Sequence, residues 1–384
     1  MNNKVLVICS SALFPTNSGD KIYSLDQLKT LSKKFDVVFV NVVEEEYDED
    51  LNRNSLKELC SSIYFFKETY INQGVTALKS FASGKPSIVT RSKYLEHITS
   101  SLSEIIKKEK PMFALVDHLR SSIYLDPKNI KTYLVEHNDE VRIFEQNSKV
   151  SYNPVVKITY AILMRLLRTY RDNYYSYVEK VIFISSFDYS EDFKNAVFLK
   201  NLMIRFDHKE YKIPSSNTEV KNILFCGSMH WHPNLNGVKW FLENVYEKLG
   251  NNINVLIVGR HIPDTLRKYE SDRIKMFSDV PSMEEFFLKS DIFFVPILTG
   301  GGINIKVLEA LSYGIPIVIT EFAVRGYDGL NFLEPTNDPD GFANRIENLL
   351  NNQDALNQLK NKELEFYKNY TENAERDFLG FLAE

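Results

Sequence analysis

Short apolar runs recur along this 384-residue chain, separated by longer stretches in which apolar residues return at helical spacing. In the first half the runs are Val5–Ile8, Val37–Val43, Ile63–Phe66, Phe113–Val116, Tyr133–Val135 and Val181–Ile184. In the second half they are Ile223–Cys226, Val255–Val258, Ile274–Phe277, Ile292–Val295 and Ile315–Ile319. A run that is apolar at every position, not at alternate ones, predicts a strand buried on both faces, as in a parallel sheet between helical layers. Two such series predict an α/β chain of two Rossmann-like doubly wound domains, with ligands in a central cleft at the carboxyl ends of the strands. The boundary is expected in the polar stretch Asp207–Lys221, which holds Pro214 and a Ser-Ser-Asn-Thr cluster. This gives domains at 1–206 and 207–361, and a last segment, 362–384, reads as a helix. The charge run Glu44–Asp50 is expected to be a solvated loop after the second strand. No internal repeat and no low-complexity tract interrupts the pattern.

Composition narrows this picture. A hydrophobic content of 44% over this length supports a sizeable core, and a net charge of −5 gives no electrostatic case for nucleic acid. Cys9, Cys60 and Cys226 are scattered without metal-ligand spacing, which argues for a reducing compartment. No apolar run approaches the roughly 20 residues that cross a bilayer. The N-terminal VLVICSSALF has one flanking lysine, meets Pro15 at once and lacks a small-residue cleavage site, so it reads as a buried strand, not a signal peptide. The expected location is cytoplasmic. One stretch, 155–180, is broadly apolar with Arg165, Arg168 and Arg171 spaced by three. It is either a buried helix whose arginines snorkel to water or a peripheral contact with the inner face of a membrane. Nothing in the sequence fixes the oligomeric state.

Candidate chemistry clusters after strands. Asn17-Ser18-Gly19-Asp20 follows the first, His118 the fourth and His137 the fifth; Gly227-Ser228, Gly259-Arg260 and the triplet Gly300–Gly302 follow strands of the second half. The densest stretch is GGGINIKVLEALSYGIPIVIT, from Gly300 to Thr320. Adjacent glycines let backbone approach a ligand closely, and the next helix would aim its free N–H groups at that loop. Lys306 and Glu309, three apart, share one helix face. A cation beside a glycine loop suits a phosphate, and a carboxylate one turn on suits the paired hydroxyls of a sugar.

These residues resemble the GT-B-fold glycosyltransferases, particularly glycosyltransferase family 4. The resemblance spans most of the chain and is strongest in ILFCGSMHWHPNLNGVKWFLENV, VLIVGR and the GGGINIKVLEALSYGIPIVIT segment; VLVICSSALFPTNSGDKIYSLDQL, VDHLR, VEHND and VIFISSFDYSEDF support it. It implies transfer of a sugar from a nucleotide-sugar donor to a glycan-type acceptor, retention of anomeric configuration and no required metal or other cofactor. It implies that Glu309 holds the donor ribose, that Lys306 with the backbone around Gly302, Ile303 and Asn304 cradles the diphosphate, and that Gly301 lies on the donor side. Gly19 would close on the phosphates, His137 would sit near the reacting carbon, and Val280 and Pro281 would contact the nucleobase. The C-terminal helix would cross back to the first domain. Two positions depart from the family pattern. Gly301 stands where the first motif glutamate belongs, and Ser228 and Asn236 stand where an Arg and a Lys are usual.

Several residues keep two readings. His137 lies in His-Asn-Asp, also a turn composition. His118 and Asp139 are acceptor-side candidates, although Asp139 and Glu140 equally suit a helix N-cap. Arg260 reaches either phosphate or a surface partner. His230 and His232 would share a strand face, yet lack further metal ligands. Asp48-Glu49-Asp50 and Asp338-Pro339-Asp340 match an Asp-x-Asp pattern in turn-like contexts that do not suit metal binding. A non-catalytic nucleotide-binding partner subunit and a nucleotide-sugar epimerase are the rival functions. A dehydrogenase lacks support, since no Gly-x-Gly-x-x-Gly follows the first strand.

Overall fold

The computed structural model describes residues 3–16, 18–44, 47–142, 145, 154–202, 220–280, 282–301 and 303–383. The chain forms two compact units, Met1–Leu202 with Ala374–Glu384, and Met203–Asn373. The expected boundary stretch lies largely outside the described residues.

The first unit runs β1 (Lys4–Cys9), α1 (Gly19–Ser32), β2 (Asp36–Glu44), α2 (Glu49–Leu56), β3 (Ser62–Glu68), α3 (Gln73–Ser83), α4 (Leu95–Glu109), β4 (Phe113–Asp117), a 3₁₀ turn (Leu119–Tyr124), β5 (Thr132–Glu136), α5 (Pro154–Tyr175), β6 (Lys180–Phe183) and β7 (Ala196–Phe198). Its strands pair in the order β3-β2-β1-β4-β5-β6-β7, all parallel. Alternate side chains of a strand point to opposite faces. Leu6, Ile8, Val38, Val40, Ala114, Val116 and Leu134 therefore pack on one side, against Ile98 and Leu102 of α4 and Leu167 and Tyr174 of α5.

The second unit holds β8 (Lys221–Cys226), α6 (His232–Asn244), β9 (Ile253–Gly259), β10 (Ile274–Ser278), β11 (Ile292–Val295), α7 (Ile305–Ser312), β12 (Ile317–Ile319), α8 (Pro339–Asn351) and most of α9 (Gln353–Phe381). The parallel order is β10-β9-β8-β11-β12. In each sheet the chain starts in the middle, builds outward one way and then reverses. The reversal leaves a crevice at the carboxyl ends of β1 and β4, and another at those of β8 and β11.

Every predicted strand is present, and β1 is paired on both sides, as a buried first strand requires. Four details differ. The edge strand β7 was not anticipated, because three half-buried residues carry no readable periodicity. The charge run is not all loop: Asp48 caps α2 by accepting from the Leu51 amide, and Glu49 and Asp50 lie in its first turn, where the helix dipole favours carboxylates. The last helix begins at Gln353, not near 362, since only Asn352 in extended backbone separates it from α8. Finally, His230 and His232 do not share a strand; His232 opens α6 and the His230 ring packs edge-on against His261.

Candidate functional site

The crevice of the second unit is built around Gly227, Asn234 and Lys306. β8 delivers Gly227, the first turn of α6 delivers Asn234, and the first turn of α7 delivers Lys306. Lys306 Nζ donates to Asn234 Oδ1 at 2.6 Å, and Asn234 Nδ2 donates to the Ser228 carbonyl at 2.8 Å. A Cβ on Gly227 would lie 2.7 Å from Asn234 Nδ2 and 3.0 Å from Lys306 Nζ, so glycine keeps this corner open. A Cβ on Gly259 would collide with the Gly227 carbonyl, which is how β8 and β9 bring their ends so close. Lys306 Nζ also sits 4.4 Å from the centre of the Phe225 ring. Burial pulls the Lys306 ammonium down to about 8, against the upward pull of Cys226 and Glu309. No side chain caps the N-terminus of α7; the Asn304 amide donates instead to the Ala323 carbonyl. A poorly solvated cation and an uncapped helix start, beside a corner only glycine fits, are an arrangement suited to an anion.

The crevice of the first unit holds a buried polar chain. His137, just past β5, meets Asp117 Oδ1 through Nε2 at 2.6 Å, and Ser24 of α1 donates to Asp117 Oδ2. The His118 ring stacks on the His137 ring with centroids 3.6 Å apart, and Tyr23 meets His137 edge-on at 4.6 Å. Burial alone would raise the Asp117 carboxyl, but His137, His118 and Ser24 together outweigh it and hold the group at about 2. Asp117 therefore stays ionised and fixes the orientation of the His137 ring. His118 is driven well below its ordinary value chiefly by burial, with His137 and Arg120 adding to the shift, so its imidazole is neutral at pH 7. At the mouth, Arg120 donates to Asp20 at 3.1 Å, and Ser18 donates to the same carboxylate. His137 Nδ1 and His118 Nε2 are buried without a partner. Two such nitrogens suit the hydroxyls of a bound ligand. Asp117, His118 and His137 are also the one group among the described residues whose ligand atoms could converge on a metal, lying within 4.8 Å of one another.

The remaining sequence candidates fall as follows. Glu309 lies half-buried one turn after Lys306, close enough to act on its charge and on Cys226. Gly301, Ile303 and Asn304 lie in the loop before α7, while Gly302 and Pro281 lie outside the described residues. Arg260 and Val280 follow β9 and β10, and the order β10-β9-β8 ranks those strand ends beside Gly227. The Arg260 carbonyl accepts from the Met229 amide, which ties the two loops together. Gly19 is the first residue of α1, not part of a free loop. Asp139 proves to be a cap, accepting from the Val141 and Arg142 amides and pairing with Arg171, so its carboxylate is already committed. Asp338 likewise caps α8. Asn236 is exposed, whereas Asn234 two residues earlier is buried against Lys306. Sequence reasoning missed Asn234, Asp117, Ser24 and Arg120. The signal for Asp117 was present, as a carboxylate ending an apolar strand directly before His118.

Residues 220–352 match a family model described as "Glycosyl transferases group 1". Over 375 residues, 93% of each chain, the protein is 25% identical to an "uncharacterized 44.6 kDa protein in cps region" of Klebsiella pneumoniae. Among solved structures, sucrose-phosphate synthase from Thermosynechococcus elongatus is similar over 99% of this chain and 98% of its own, at 11% identity and a TM-score of 0.66. A UDP-N-acetylglucosamine 2-epimerase is similar over 98% of this chain and 95% of its own, at 14% identity and a TM-score of 0.52. At those identities the likeness establishes the fold, which is GT-B.

Proposed function

We propose that this protein, whose residues 220–352 match the model of the group 1 glycosyl transferases, moves a sugar from a nucleotide-sugar donor to a hydroxyl acceptor. The observation that carries the proposal is the Gly227–Asn234–Lys306 corner at the uncapped start of α7. There the departing diphosphate would meet a preorganised cation and helix amides, which oppose the charge that develops as the glycosidic bond breaks. Removing Lys306 from water costs free energy in the resting protein and strengthens its attraction to a phosphate. Glu309 takes the ribose hydroxyls. In the first unit His137, held by Asp117, takes the part of a group acting on the sugar or acceptor hydroxyl, with His118 beside it.

We assign retention of configuration and independence of metal to the same reading. The acceptor we place among polysaccharides or glycoconjugates; the relative in a cps region supports this. Among the described residues no helix is long and apolar enough to cross a membrane, so a lipid-linked acceptor would be met by peripheral contact through α5, at the inner face. Gly301 and Ser228, in place of a carboxylate and a cation, favour one second reading, a nucleotide-binding subunit that needs a catalytic partner. Incubation with labelled nucleotide sugars and candidate glycan acceptors separates the outcomes. Labelled acceptor with the donor anomeric configuration supports the proposal. Interconversion of free donor without acceptor supports an epimerase, and binding without turnover supports the partner subunit.

A further inference from the structure

Helix α3 is turned inside out. Its buried positions are Thr76 and Ser80, while Val75, Leu78 and Phe81 face solvent, Leu78 at 68% exposure. The inward face is pinned by polar contacts. Thr76 Oγ1 donates to the Ile71 carbonyl, Ser80 and Thr90 share a hydrogen bond of 2.7 Å, and Thr90 Oγ1 donates to the Thr76 carbonyl. These bonds hold three apolar side chains of one helix in water, and apolar groups exposed side by side mark an interaction surface. α3 packs against α5, whose own solvent face begins with Ile158 and Ile162, 62% and 43% exposed.

Within residues 69–95 and 154–171 the charges have one sign. No carboxylate occurs between residues 69 and 95 or between 154 and 171, and Lys79, Lys85, Lys93, Lys157, Arg165 and Arg168 are all exposed. Beside α3 lies a cavity of about 790 Å³ lined by Lys79, Lys85, Lys93, Tyr94 and, at its α4 side, Glu96. Apolar side chains next to a lysine-lined recess match the two layers of a lipid surface, acyl boundary and phosphate.

We infer that α3, with the adjoining face of α5, docks on an anionic lipid bilayer. Leu78 and Phe81 enter the acyl boundary, and Lys79, Lys85 and Lys93 meet lipid phosphates. This deepens the membrane contact proposed for α5 and rests on that reading for which membrane face is met. The test is co-sedimentation of the full chain with phosphatidylglycerol-containing vesicles and with pure phosphatidylcholine vesicles. Wild type should bind the former, release in high salt and ignore the latter. Leu78→Ser with Phe81→Ser should weaken binding at least about tenfold, since both sites are exposed and the fold does not need them. Replacing Lys79, Lys85 and Lys93 by Gln should cost about fivefold for each charge removed. If only Arg165→Gln with Arg168→Gln impairs binding, the contact through α5 stands and the role of α3 falls. Wild type that binds neither vesicle overturns both. A dimer in sedimentation velocity that is lost in Leu78→Ser, without vesicle binding, would mean that a second copy covers the face. Nucleotide-induced stabilisation of the same preparations reads the donor site separately.

Discussion

Replacing Lys306 by Met separates a ligand-binding cation from a structural one, because the two roles predict effects of opposite kind. Holding the ammonium at about 8 instead of 10.5 costs the folded protein at most about 3 kcal/mol at neutral pH. Methionine relieves that cost with a side chain of similar length. The substitution also leaves Asn234 Oδ1 without its donor, a loss of about 1–3 kcal/mol. The two terms oppose each other, so unfolding free energy should stay level or rise by up to about 2 kcal/mol. Nucleotide binding should instead weaken. A charge-assisted hydrogen bond to phosphate contributes about 1.5–3 kcal/mol, so affinity should fall roughly 10- to 150-fold. At a concentration about 100 times the wild-type dissociation constant, ligand stabilisation of roughly 2.7 kcal/mol would shrink to about 0.3–1.4 kcal/mol. Denaturant melts give the first quantity and calorimetric titration with a nucleoside diphosphate gives the second. A variant that loses more than about 2 kcal/mol of stability but binds nucleotide as wild type does would refute the reasoning, and Lys306 would be a structural cation.

Other consequences follow from the same geometry. Because kcat/KM reports the free enzyme, it should fall on the alkaline side with an apparent pKa near 8, as Lys306 loses its proton. Stability should move the other way: between pH about 8 and 10.5 the unfolded chain holds a proton that the folded chain has released, so stability rises across that window, and a flat pH melt series would contradict the depressed value. His137→Ala should lower turnover at least about hundredfold while nucleotide affinity holds, and unchanged turnover would remove His137 from the chemistry. Gly259→Ala forces a methyl against the Gly227 carbonyl and should cost about 3 kcal/mol or more in a urea melt, whereas wild-type stability would mean that the strand ends tolerate separation.

Much of the fold was legible because buried parallel strands announce themselves as unbroken apolar runs, and all eleven predicted runs became strands. What escaped was short or polar. The three-residue edge strand Ala196–Phe198 has no period to read, and NNQDALNQLKNKE at 351–363 hides the start of α9 behind asparagines and glutamines. The candidate site was legible in sequence where one segment carries its residues, from Gly300 to Glu309. It was not legible where distant segments converge. Asn234 meets Lys306 across 72 positions, and Ser24 meets Asp117 across 93, so no local spacing could announce either pair. Asp139 shows the converse: its local signature as a cap was readable, and the backbone amides claimed it.

The central claim, a nucleotide-sugar site in the second unit, is tested most directly by thermal unfolding with UDP, GDP, CDP and TDP and their common sugar conjugates, in the presence of a chelator. The account predicts that one nucleotide series stabilises wild type by roughly 2.7 kcal/mol at about 100 times its dissociation constant, and that Glu309→Ala abolishes the effect. Stabilisation by none of them, or an effect that survives in Glu309→Ala, would contradict it.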